Sequence, residues 1–194
     1  MILRRTLLPG ILLLRPTIHR DERGTFLESW QAERYEALGI PLRFLQDNLV
    51  HSRARVLRGL HLQLPKQQGK LVQAVHGDIL DVVVDVRRGS PTFGRSIRAH
   101  LSAAHGDQIW VPPGFAHGYC VLSEEAIVSY KCTELYAPGC EVTLRWDDPD
   151  LGIEWPWSDP LVSPKDAAGE CLADIDNERL PVYRPDVAVR QVQS

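Results

Sequence analysis

The chain has 194 residues, of which 22 are Lys or Arg and 25 are Asp or Glu, giving a formal net charge of −3. Apolar residues make up 44% and charged residues 24%, the balance of a soluble globular chain long enough to bury a substantial core. That balance excludes a general nucleic-acid or membrane surface, so an anionic ligand would have to be held by a few local arginines.

Arg4-Arg5 before the leucine-rich run 7–14 imitates a secretory signal. Pro9-Gly10 interrupts the run, Arg15 closes it and no small-residue cleavage site follows, so the run reads as a first strand. No stretch is long enough to span a bilayer. A short helix is predicted over 30–38, with Ser29 as N-cap and Gly39-Ile40-Pro41 as terminator. From about 43 to 146 strand signals dominate, over 56–63, 71–76, 79–86, 96–102, 108–111, 117–122 and 126–132. Gly69, Gly77-Asp78, Gly89-Ser90-Pro91, Pro112-Pro113-Gly114 and Ser123-Glu124-Glu125 separate them. This rhythm predicts a mainly β fold, a sandwich or jelly-roll barrel rather than βαβ units. Along 79–86, Leu80, Val82, Val84 and Val86 share one face while Asp81 and Asp85 lie opposite. From about 147 to 194, Trp155, Trp157 and several prolines predict turns and short helices wrapping the barrel, so 1–194 is expected to form a single domain. The four cysteines, Cys120, Cys132, Cys140 and Cys171, lack Cys-x-x-Cys spacing and read as reduced thiols of a cytoplasmic protein rather than a zinc site.

The stretch from Gly106 to His117 spaces a glycine, five residues and Pro-x-Gly-x-x-His. It is similar to the second signature of the cupin superfamily, double-sheet barrels that usually hold a metal. The place of the upstream His-x-His reads Gly59-Leu60-His61-Leu62-Gln63, with Gln63 at the second ligand, and Val121 stands where the second signature usually has Asn. No metal is therefore expected. His61 and Gln63 share one face of their strand and Leu60 and Leu62 the other; alternation alone does not say which face is the lumen, because both faces of a sandwich strand can be covered. Lys70, at a strand start, is a solvated charge unless aimed into the barrel beside His61, where it would stabilise an oxyanion. Tyr130 alternates with Val128 and Cys132 and reads as a core tyrosine, and Arg58 and Arg23 read as ordinary surface charges.

Together these residues carry a family resemblance. Asp21-Glu22-Arg23-Gly24-Thr25-Phe26-Leu27-Glu28, Gln46-Asp47-Asn48, Leu57-Arg58-Gly59-Leu60-His61, Gln68-Gly69-Lys70-Leu71-Val72, Pro112 to Gly118, Tyr130-Lys131-Cys132-Thr133 and Arg145 to Asp150 appear in order. The chain closely resembles the dTDP-4-dehydrorhamnose 3,5-epimerase family, metal-free cupins, from about residue 2 to 185. The resemblance implies a cupin-type double-stranded β-helix and no cofactor. It implies His61 as catalytic base, Asp166 as its partner carboxylate, Lys70 near the keto oxygen and Tyr130 as proton donor on the other face of the sugar. It further implies substrate contacts from Gln46, Asn48, Tyr136, His117 and Lys165, and diphosphate binding by Arg58. Arg23, Phe26 and Glu28, in an N-terminal segment 1–28, would serve the partner subunit's nucleotide site, which makes a homodimer the expected unit. Two departures stand out: Leu62 replaces a common aromatic residue, and His76 a common arginine that bears on a surface or subunit contact.

The implied chemistry explains the residue types. A ketone at C4 acidifies the C–H bonds at C3 and C5, and inversion needs a base on one face of the ring and an acid on the other. A neutral imidazole is a suitable base, a carboxylate fixes its tautomer, and a lysine answers the enolate charge. Three readings follow. The first is double epimerisation of dTDP-4-dehydro-6-deoxy-D-glucose for L-rhamnose synthesis. The second is inversion of only C3 or only C5 in a modified-deoxysugar pathway, and the third a catalytically silent cupin that binds nucleotide sugars.

Overall fold

Turns at glycines and prolines divide the chain into short antiparallel strands, and a computed structural model describes them over residues 1–40 and 43–185. In chain order they are β1 (Ile2–Arg5), β2 (Leu12–Arg15), β3 (Ile18–Asp21), β4 (Gly24–Leu27), helix α1 (Ala32–Glu36), β5 (Gln46–Arg53), β6 (Leu57–Gln63) and β7 (Lys70–His76). Then come β8 (Asp78–Asp85), β9 (Ser96–Ser102), β10 (Gln108–Val111), β11 (Phe115–Val121), β12 (Glu125–Cys132), β13 (Glu141–Thr143) and helix α2 (Pro164–Ala167). A six-stranded sheet in the order β1-β2-β10-β7-β12-β5 faces a five-stranded sheet in the order β13-β6-β11-β8-β9, while β3 and β4 form a separate hairpin. This is the expected mainly β jelly-roll barrel.

The apolar alternation decides how the layers stack. Val72, Ala74, Ile109, Val111 and Val128 of the larger sheet meet Ile79, Val83, Phe115, Tyr119 and Val121 of the smaller one, filling the space between the sheets. The outer face of the smaller sheet is just as apolar: Leu60, Leu62, Val82, Val84 and Val142 are covered by Leu151, Leu172, Ile175 and Leu180 from the C-terminal segment. That segment also pairs with the barrel through backbone bridges, Leu144 with Glu170 and Arg88 with Val182. On the larger sheet, Tyr35 of α1 and Ile40 just after it cover Leu12, Leu14, Leu71 and Trp110. Among the described residues no helix is long and apolar enough to cross a membrane.

The two carboxylates of β8 point between the sheets, and both are fully buried. Asp85 is satisfied there by Arg87 Nε and Nη2 at 2.8 and 2.7 Å and by the hydroxyls of Ser90 and Thr92, each at 2.6 Å. The Arg87 guanidinium also lies 4.0 Å from the Phe115 ring and 5.0 Å from that of Tyr183, tying the C-terminal segment to the barrel.

Several local expectations need correction. The run 7–14 is not one strand: Gly10, at φ +93°, turns the chain between β1 and β2, which pair with each other. The helix spans five residues rather than nine, and its N-cap is Gln31, whose side chain accepts from Arg34 N at 2.6 Å. Ser29 lies three residues before the helix, and its carbonyl accepts from Tyr35 Oη at 3.1 Å and Gln108 Nε2 at 2.8 Å. Gly39, at φ +85°, ends the helix, and Pro41 lies outside the described residues. The pattern also missed β5, β13 and the β3–β4 hairpin, whose strands are half exposed or only three to four residues long.

Candidate active site

The site is organised by a bulge in β6. Opposite β11, His61 pairs with His117 and Arg58 with Tyr119, so three steps on β6 match two on β11. Residues three apart on a regular strand face opposite ways; the extra residue lets Arg58 and His61 line the same cavity. The bulge requires glycine on both strands. A Cβ on Gly59, which has φ +111°, would lie 2.7 Å from Gly118 Cα, and one on Gly118 would lie 2.5 Å from the Arg58 carbonyl oxygen. Because Leu60 and Leu62 sit under the C-terminal segment, His61 faces the space between the sheets.

There a two-lobed cavity opens. One lobe, of about 260 Å³, is lined by Gln46, Asn48, Gln63, Tyr136 and Glu141; the other, of about 240 Å³, by Arg58, His117, Tyr119, Lys165 and Asp166. His61, Lys70 and Tyr130 line both.

His61 Nε2 lies 2.6 Å from Asp166 Oδ1. Asp166 is delivered by α2, a single turn that starts at Pro164 and is capped by Ser163, whose Oγ accepts from Asp166 N at 3.1 Å. Burial pushes the Asp166 carboxyl up, but bonds from His61, Ser163 and the Gly59 backbone outweigh it and hold the group below its ordinary value. The other ring nitrogen, Nδ1, lies 3.5 Å from Glu141 Oε1. Glu141 accepts from Tyr136 Oη at 3.1 Å and pairs with Lys165 Nζ. Its pKa is lowered, since these partners and His61 outweigh burial.

Lys70 is held below the usual lysine range by burial, against the opposing pull of Cys132, Glu141 and Asp81. Burial, reinforced by the nearby Cys132 and Tyr119, pushes the Tyr130 hydroxyl up to about 12, so it carries its proton at neutral pH. His117 Nε2 is 2.8 Å from Asp81 Oδ2 beneath the cavity, while Asp81 Oδ1 has no partner among the described residues. Burial raises the Asp81 pKa despite His117 and Lys70.

The polar wall is equally ordered. Gln46 Nε2 donates to Asn48 Oδ1 at 2.9 Å, and Gln46 Oε1 accepts from Tyr136 N at 2.8 Å. Gln63 donates to the Lys66 and Leu135 carbonyls at 2.8 and 3.2 Å and accepts from Ala137 N at 2.9 Å. The side chain at the lost ligand position thus pins the loop that carries Tyr136. Arg58 Nε donates to Ser52 Oγ at 3.1 Å. Among the described residues no group of three or more His, Cys, Asp or Glu is arranged to hold a metal.

Arg23, Phe26 and Glu28 line neither lobe. Arg23 and Phe26 border an open depression on the β3–β4 hairpin, Phe26 is 70% exposed, and Glu28 pairs with Arg34 at 2.8 Å. Tyr119, Glu141 and Asp81 escaped sequence reasoning. Glu141 sits on a three-residue strand with no periodic signal. Asp81 was visible as a polar position on β8, but only the buried outer face shows that this position points inward.

Residues 5–174 match the family described as dTDP-4-dehydrorhamnose 3,5-epimerase. A protein of that name from Pseudomonas aeruginosa is 48% identical over 174 residues, covering 89% of this chain and 96% of the relative. The crystal structure of dTDP-6-deoxy-D-glucose-3,5-epimerase from Legionella pneumophila, in complex with dTDP-4-keto-L-rhamnose, aligns with a TM-score of 0.92 at 48% identity, covering 94% of this chain and 98% of that one. A dTDP-4-dehydrorhamnose 3-epimerase from Streptomyces niveus is 38% identical over 192 residues, covering 97% of this chain and 93% of the relative.

Proposed function

Because the chain belongs to the dTDP-4-dehydrorhamnose 3,5-epimerase family, we propose that it converts dTDP-4-dehydro-6-deoxy-D-glucose to dTDP-4-dehydro-L-rhamnose by inverting C3 and C5. The observation that carries this reading is the convergence of a carboxylate-paired histidine, a buried lysine and a protonated tyrosine on one cavity. His61 takes the proton from carbon through Nδ1, because Nε2 is committed to Asp166. The electrons of the broken C–H bond move to the C4 oxygen, where the Lys70 ammonium meets the developing charge. Tyr130 returns a proton to the opposite face, and the ketone re-forms with the centre inverted. Each inversion leaves an imidazolium and a phenolate, which must be reset before the next.

Arg58 and Lys165 would meet the diphosphate side of the substrate, with His117, Gln46, Asn48 and Tyr136 as further contacts. The exposed hairpin bearing Arg23, Phe26 and Glu28 would complete the nucleotide site of a second copy, making a cytoplasmic homodimer the working unit. No cofactor is called for, since the substrate's own ketone provides the acidity. The 3-epimerase relative keeps a second reading in view, in which only one centre is inverted. Incubation with the substrate in heavy water separates them: deuterium at both C3 and C5 of the product is expected, and deuterium at one carbon would favour the narrower activity. A folded protein that binds dTDP and incorporates no deuterium would refute both.

A further inference from the structure

We propose that Glu141 is the exit for the abstracted proton: it strips Nδ1–H from the His61 imidazolium and passes the proton to solvent at Lys165 and Tyr136. The proposal rests on the epimerase reading above and deepens it. Nε2 of His61 is tied to a carboxylate whose side chain is only 5% exposed, so the ring has no route to water on that side. Nδ1 faces Glu141 Oε1 at 3.5 Å, too long for a hydrogen bond at rest but within reach of a small carboxylate rotation. The Glu141 side chain is itself 12% exposed, yet its other oxygen meets Lys165 and Tyr136, both about half in solvent at 51%. The three residues therefore form a chain from Nδ1 to bulk water, beside a ring whose side chain is 27% exposed on the cavity side.

The chemistry gives such a chain a use. After one inversion Tyr130 is a phenolate whose hydroxyl is buried and hard to ionise, so it recovers a proton readily. The imidazolium that forms lies between two carboxylates, and the second centre cannot react until Nδ1 is free. In the transfer the Nδ1–H bond breaks and an O–H bond forms on Glu141; the ring becomes neutral, and the transient carboxylic acid gives its proton to water. Lys165 keeps its own protons and restores the carboxylate by its charge. No electron changes hands.

The test compares wild type, Glu141→Gln and Glu141→Asp with dTDP-4-dehydro-6-deoxy-D-glucose in heavy water, over a series of formate concentrations. Glutamine keeps the size and the hydrogen bonds but cannot carry a proton; aspartate can. For Glu141→Gln, KM should stay within about twofold while kcat falls roughly tenfold to a hundredfold, at the low end of positioned acid–base effects. Singly inverted sugar should accumulate, and kcat should climb with formate, which substitutes for the missing carboxylate. Glu141→Asp should keep most of the activity and show no formate dependence. A loss confined to KM, or a kcat loss that formate leaves untouched with the two inversions still coupled, would overturn the proposal and leave Glu141 as an anchor for Tyr136. Failure of the underlying reading looks different, since wild type itself would then incorporate no deuterium.

Discussion

Gly118→Ala tests whether the β6 bulge sets the place of the base. The new Cβ would sit 2.5 Å from the Arg58 carbonyl oxygen, 3.1 Å from Leu60 Cδ2 and 3.2 Å from Gly59 Cα. Backbone cannot rotate out of the way as a side-chain tip can, so β6 and β11 must part. Reaching ordinary contact near 3.5 Å asks for a displacement of about 0.5–1 Å, applied midway between Arg58 and His61. A misplacement of that size costs on the order of a hundredfold in rate. The same overpacking costs about 1–3 kcal/mol of stability, or roughly 2–12 °C in Tm for a chain of this size. The protein should therefore fold and bind dTDP at 25 °C yet show kcat reduced about a hundredfold, measured by coupling product to a 4-keto reductase. A wild-type kcat in a variant with the predicted Tm loss would refute the argument that strand separation at the bulge controls His61.

Three further outcomes follow from the site and the core. Tyr130→Phe removes the proposed acid but leaves the proposed base, so the variant should wash deuterium from heavy water into the substrate while forming product about 10²–10⁴-fold more slowly; loss of exchange as well would remove Tyr130 from a purely acidic role. In the proposed mechanism Lys70 works as an ammonium, and its pKa is depressed by burial, so kcat should fall on the alkaline side at a pH below the ordinary lysine value, and Lys70→Met should abolish that limb along with about 10²–10³ of the rate. Asp85→Ala strands Arg87, Ser90 and Thr92 in the interior and should cost about 3–5 kcal/mol in urea titration. The folded pKa of Asp85 lies below its unfolded value, held there by these donors against burial, so its contribution is present above about pH 4 and fades as pH falls through the folded value; a variant whose deficit against wild type stays constant from pH 6 to well below 4 would contradict that.

How much the sequence disclosed depends on the kind of information. β9 and β10 fall where alternation and turn residues put them, because their patterns are local. His61 was identifiable as a position but not as a lumen residue, since Leu60 and Leu62 are buried on the other face by a segment a hundred residues away. The 105-residue separation of His61 and Asp166 puts their bond beyond any local pattern, and only family resemblance paired them. The bulge left a trace in the glycines at 59 and 118, but nothing in a linear reading says that they touch. Gln63 shows the opposite limit: the sequence marked what it had stopped being, and only the contacts show that it now holds a loop.

The carboxylate that partners the base belongs to the same segment that seals the outer face of the smaller sheet. During synthesis the barrel strands, which end at Thr143, leave the ribosome before α2, so a nascent chain can begin to pair its sheets while His61 still lacks Asp166. Under the proposed mechanism, activity would wait until the stretch 151–180 docks, and the step that covers the leucines of the smaller sheet would also be the step that supplies the histidine's carboxylate. A partly made or C-terminally clipped chain is then expected to be idle and to expose Leu60 and Leu62 at once.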